Sequence, residues 1–196
     1  VSSEKIEKIK CDLLVTGLFE KESPSKLSGL DKLISGAIRK SISTKEFIGE
    51  SGQTKLITTL DNLPCKNILL VGLGKKKEFT QDKLRKIAGN IARTTKDKKY
   101  KTVVTDINSH GRCSTTIEGI ILSLYKFERK GEKKKEVTPN FTLLVKSSEI
   151  KKSKAYIEKT QKICENVLLV RELVNLPGSE LTPTAFANKA KKIAKG

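Results

Sequence analysis

The sequence predicts an α/β fold: three layers, with a mixed, largely parallel sheet and helices on both faces. Three observations carry this. Apolar, β-branched runs recur at 11–19, 67–74, 101–107 and 140–146, each of strand length. Between them stand stretches whose apolar residues repeat at helical spacing. The two kinds of segment alternate along the chain, as they do when parallel strands are joined by crossover helices.

Each element has a local reason. CDLLVTGLF (11–19) is apolar without alternation, which suits a strand buried on both faces. Leu27, Leu30, Leu33, Ile34, Ala37 and Ile38 fall on one face of a helix expected over 26–41. EFIGESGQTKLITTL reads as two short strands around Gly49–Gly52, a hairpin, and NLPCK as the turn after it. NILLVGLG (67–74) is the strongest central strand. Thr80 is placed to cap a helix whose apolar stripe is Leu84, Ile87, Ala88, Ile91 and Ala92. After the strand at 101–107, Ser114 or Thr115 is expected to cap a helix carrying Ile117, Ile120, Ile121 and Leu124. KGEKKKEVTPN reads as an exposed loop. A long helix over about 153–175 carries Tyr156, Cys164, Val167, Val170, Arg171 and Val174 in register.

Composition narrows the class. The chain has 196 residues, of which 36% are hydrophobic, and no apolar run approaches the ~18 residues of a membrane span. Its charged start, VSSEKIEKIK, lacks the apolar stretch of a secretory signal. These features predict a soluble, cytoplasmic chain without a membrane partner. A chain that opens on Val and contains no Met is expected to have lost its natural start. The net charge of +18 comes from 40 basic and 22 acidic residues, and nearly all the bases are Lys. Base and phosphate readers favour Arg, so a solvated Lys-rich surface explains the balance without a nucleic-acid partner. The clusters Lys75–Lys77, Lys96–Lys101, Lys130–Lys135 and Lys151–Lys154 keep nucleic-acid binding as an alternative. No aromatic platform accompanies them.

The chemical motifs are sparse. Cys11, Cys65, Cys113 and Cys164 form no CxxC and are expected to be buried thiols. His110, the only histidine, makes a lone HxxC with Cys113, too few ligands for a metal. Gly72 and Gly74 after a strand, with Asp106 at the end of the next, imitate a dinucleotide fingerprint. Lys77 stands where the third glycine belongs, and the helix starts late, near Thr80. Paired carboxylates, HExxH, GxSxG and GxxxxGK[ST] are absent. No catalytic, cofactor-binding or metal-binding residue is therefore assigned to this chain.

The last segment is the most informative. Asn175-Leu176-Pro177-Gly178 breaks the long helix, and Thr182-Pro183 starts a new one with a small apolar face of Phe186, Ala190 and Ile193. That helix, about three turns long, is marginal alone and needs a surface to dock on. RELVNLPGSELTPTAFANKA resembles the segment joining the two domains of leucyl (cytosol) aminopeptidases. Arg171, Glu172, Leu173, Val174, Asn175, Pro177, Leu181, Thr182 and Pro183 match it. NILLVGLGKKKEFT resembles that family's strand and Gly-Leu-Gly exit. EGIILSLYKFERKGEKK resembles its Tyr-x-Phe helix at Glu118, Gly119, Tyr125 and Phe127.

The resemblance implies a parent enzyme that removes N-terminal amino acids from peptides, a metal-dependent hydrolase of two-domain subunits assembled as homo-hexamers. Two divalent ions, manganese or zinc, and the peptide substrate are then held by a C-terminal catalytic domain. That domain's Asn-Thr-Asp-Ala-Glu-Gly-Arg motif does not occur in this sequence. The resemblance thus divides the chain into an N-terminal domain similar to the macro fold (1–150), a linker helix with its Pro/Gly joint (151–177), and the start of the catalytic domain (178–196). It implies a non-catalytic regulatory or assembly role for this segment. Macro-like modules that bind ADP-ribose or nucleotides, and family members that bind DNA through this domain, supply the alternatives.

Overall fold

The computed structural model describes residues 1–60, 62–108, 112–127 and 138–194. At the centre lies β1 (Cys11–Leu18), flanked by two parallel neighbours, β3 (Cys65–Gly72) and β4 (Thr102–Thr105). Beyond β4 runs β5 (Asn140–Leu143), also parallel; beyond β3 runs β2 (Thr54–Thr58), antiparallel. The order is β2-β3-β1-β4-β5, a mixed and largely parallel sheet of five strands.

Successive side chains of a strand point to opposite faces, so an unbroken apolar run fills two cores. Leu13 and Val15 join Leu69, Val71 and Val103 on one face, under α3 (Gln81–Asp97) and α4 (Cys113–Ser123). Leu14 and Leu18 join Ile68, Leu70 and Val104 on the other, against Leu27, Leu30, Ile34, Ile38 and Phe47. Helices thus cover both faces, as the three-layer reading requires. Thr80 caps α3 as expected, its hydroxyl accepting from the Lys83 N–H.

The structure corrects four local expectations. The helix expected over 26–41 is a short 3₁₀ turn (Pro24–Leu27) followed by α1 (Ser28–Leu33) and α2 (Ala37–Ser43). Ser35 and Gly36 break it, at φ +54° and +76°. The buried Asp31 carboxylate makes the break tolerable: one oxygen accepts from the Ile38 N–H at 2.8 Å, the other from Arg39 Nε at 2.6 Å. Asp31 therefore caps α2 from the preceding helix. The apolar rhythm survives because both helices face the same core, although Leu33 turns outward.

The hairpin around Gly49–Gly52 does not form. Residues 46–53 are a loop that sinks Phe47 into the core, and the Gln53 side chain accepts from the Ile48 and Gly49 amides. The partner of β2 is β3, across the NLPCK turn, with Thr54 opposite Val71. Next, α4 begins at Cys113, with Arg112 rather than Ser114 or Thr115 in the capping position. Last, α5 starts at Ile150 and runs to Asn175, beginning three residues before the expected 153.

Candidate interdomain joint

In open α/β sheets, ligands bind outside the carboxyl ends of the strands, where the connections diverge. Here that point lies between β1 and β4, and among the described residues Asp106 and Lys26 meet there. Asp106 accepts from the Thr16 hydroxyl at 3.0 Å and the Gly17 amide at 3.3 Å. Lys26 Nζ donates to the Gly17 carbonyl at 2.6 Å and lies 3.9 Å from the Asp106 carboxylate. Burial pushes the Asp106 carboxyl above its usual range, opposed by Lys26, Thr16 and the Gly17 amide.

The Gly-Leu-Gly exit is committed in the same way. The Gly72, Leu73 and Gly74 amides donate to the carbonyls of Gln53, Leu18 and Gly49. A Cβ at Gly72 would stand 1.9 Å from the Glu50 carbonyl oxygen. Gly72 therefore lets the 49–52 loop close on β3. Asp106, accepting from Thr16 and Gly17, ties the end of β4 to β1.

The residues singled out near the C-terminal end do converge. α5 packs along α4, burying Ser153, Thr160 and Cys164. Tyr125, just past α4, donates its hydroxyl to Glu172 Oε2 at 3.3 Å and accepts from Asn175 Nδ2 at 3.1 Å. The Arg171 guanidinium donates to the Leu122 carbonyl at 2.9 Å and lies over the Tyr125 ring, 5.9 Å from its centroid. Glu118 pairs with Arg85 of α3 at 3.0 Å. At Gly119 a Cβ would meet the Arg85 carbonyl oxygen at 2.4 Å, so the close crossing of α3 and α4 requires glycine there.

Of the α5 side chains read as one register, only Cys164 is buried. Tyr156, Val167, Val170 and Val174 are exposed, together with Ile163, which sequence reasoning missed; Val174 is 78% exposed. These five make one apolar stripe, at spacings of three, four and seven. The signal was present in the heptad-like spacing, but periodicity alone does not say which of two apolar stripes finds a neighbour. After the break, Thr182 caps α6 (Pro183–Ile193), accepting from the Ala185 N–H. No α6 residue is buried, and Phe186 and Ile193 are exposed.

Other candidates are not brought together. All four cysteines are free and buried. His110 and the Lys130–Lys135 cluster lie outside the described residues. Among the described residues no group of three or more His, Cys, Asp or Glu is arranged to hold a metal ion. No described helix is long and apolar enough to cross a membrane. Lys75–Lys77 follow the carboxyl end of β3, whereas Lys96–Lys101 precede the amino end of β4. Because β3 and β4 run in the same direction, these two clusters sit at opposite ends of the sheet and form no single basic face.

The described residues form a doubly covered α/β body extended by a long helix and a Pro/Gly joint. The chain belongs to the cytosol aminopeptidase family: the profile of that family's N-terminal domain matches residues 15–134. The probable cytosol aminopeptidase of Geobacter sp. (strain M21) is 34% identical over 92% of this chain. That of Thermosynechococcus vestitus is 33% identical over 93%. The chain spans only 38% and 39% of those two relatives. Among solved structures, a tomato leucine aminopeptidase mutant superposes with a TM-score of 0.81 at 24% identity, over 99% of this chain and 41% of that one. The bottromycin maturation enzyme BotP in complex with Mn gives 0.68 at 20% identity, over 94% and 36%. These likenesses establish the fold.

Proposed function

We propose that this chain is the non-catalytic N-terminal domain of a leucyl aminopeptidase-like metallo-exopeptidase, shaping access to the active site and supporting assembly of the enzyme. The observation that carries this reading is the uncovered stripe on α5. Fully burying a fully exposed aliphatic side chain is worth about 1.5–3 kcal/mol; Ile163, Val167, Val170 and Val174 are partly exposed, so each would contribute a fraction of that on being covered. The expected occupant is the protein's own catalytic domain. The chain divides as 1–150 for the α/β domain, 151–177 for the linker helix and joint, and 178–196 for the first helix of the catalytic part. The relatives' greater length supports this division.

On this reading two divalent ions, manganese or zinc, belong to the catalytic domain. BotP is described as a complex with Mn, which fits that assignment. The described residues of this chain offer no matching ligand set, so no step of hydrolysis is derived through them. A cytoplasmic location and a homo-hexameric parent follow from the same reading.

The test is hydrolysis of leucine amide by this chain with added Mn²⁺ or Zn²⁺. The reading expects no turnover. Metal-dependent release of leucine that co-purifies with the chain would overturn it.

A further inference from the structure

We propose that the Tyr125 hydroxyl is a latch that fixes the direction of the last turns of α5, and with it the direction in which the chain leaves through Pro177 and Gly178. The last fully buried residue of α5 is Cys164. From there to Asn175 the helix runs on for roughly 17 Å at 1.5 Å per residue. A free helical arm of that length magnifies any bend at its base: about 10° moves the tip by roughly 3 Å. Leu168, Leu169, Glu172 and Leu173 are only half-buried along this arm, and apolar contact of that kind is non-directional.

Among the described residues, directional side-chain bonds to this arm gather around Tyr125. Tyr125 bonds Glu172 and Asn175, the two positions a single turn apart on the face toward α4. Arg171 adds a third tie, to the Leu122 carbonyl, with its guanidinium over the Tyr125 ring. A phenol is suited to this task, because its rigid ring has two χ angles and its oxygen both donates and accepts. Gly119 brings α4 close against α3, so Tyr125 is anchored to the sheet body rather than to another moving part. The latch rests on the proposed two-domain reading only for its consequence, which is to hold the catalytic domain at a set angle.

The test needs only this chain. Spin labels at Lys86→Cys on α3 and Val174→Cys near the end of α5 report the direction of the arm by electron–electron distance. The four native thiols are buried and leave the introduced pair to react. The latch expects one narrow distance distribution, broadened by several-fold in Tyr125→Phe and preserved in Glu172→Gln, whose amide oxygen still accepts from the phenol. Should Tyr125→Phe not fold, Asn175→Ala at an exposed position carries the same expectation in lesser degree. A distribution that is already broad without these substitutions, or one equally narrow in Tyr125→Phe, overturns the latch. Either result leaves the leucine amide assay unaffected, so the two readings fail separately.

Discussion

At the scale of single residues, Gly119 and Asp12 make the sharpest demands on the sequence. A Cβ at Gly119 would stand 2.4 Å from a backbone oxygen of α3, and neither helix backbone yields without moving core side chains. Gly119→Ala is expected to destabilise by about 1–3 kcal/mol, the cost of overpacking. Gly178→Ala, with open space around it, is expected to be nearly silent. Denaturant midpoints compare the two. Asp12 ties the amino ends of three strands: it accepts from Lys66 Nζ, from the Lys101 and Thr102 amides, and from the Thr102 hydroxyl. Lys66 foremost, with these backbone donors, holds the Asp12 carboxyl well below the usual carboxylate range. Its stabilising effect is therefore complete above the ordinary aspartate pKa of about 3.9 and lost as the pH falls toward the folded-state value. Asp12→Asn should cost about 1–3 kcal/mol at pH 7 and flatten the loss of stability below pH 4, read from melting temperature against pH. Gly119 was legible as part of a motif, though its reason was not. Asp12 was invisible, because its partners at 101 and 102 lie far along the chain and nothing local signals them.

At the scale of elements, the strands and α3 were readable because hydrophobic pattern and capping residue agree there. Leu70, wholly buried in β3, illustrates the consequence: Leu70→Ala should cost about 2–5 kcal/mol in an unfolding titration. The broken helix and the missing hairpin were not readable. Asp31 and Gly36 cooperate across a helix break, which a count of apolar spacings passes over. The 46–53 loop looked like a strand because Phe47 is apolar, yet its ladder bonds are replaced by the Gln53 amide. In α5 the pattern showed the stripe but not its exposure. Val170→Ser should therefore change the stability of this chain by less than about 0.5 kcal/mol, in contrast to Leu70→Ala. A loss as large as a core substitution would mean that Val170 is covered in solution.

At the scale of the whole molecule, a body with two cores carries a long helix packed along α4, and a Pro/Gly joint follows it. Among the described residues, none of α6 is buried. Removing residues 178–194 should leave the melting temperature unchanged within about 1–2 °C. The lack of a catalytic motif in the sequence was the ground for expecting no site residue here, whereas the meeting of Lys26 and Asp106 at the carboxyl end of β1 needed the three-dimensional arrangement of β1 and β4. The central claim is that the α5 stripe is a docking face for a following catalytic domain. Its most direct test is hydroxyl-radical footprinting of Ile163, Val167, Val170 and Val174, in this chain and in the same chain joined after residue 194 to the remaining length of the Geobacter relative. The account expects strong labelling in the first and protection by several-fold in the second. Equal labelling in both would contradict it.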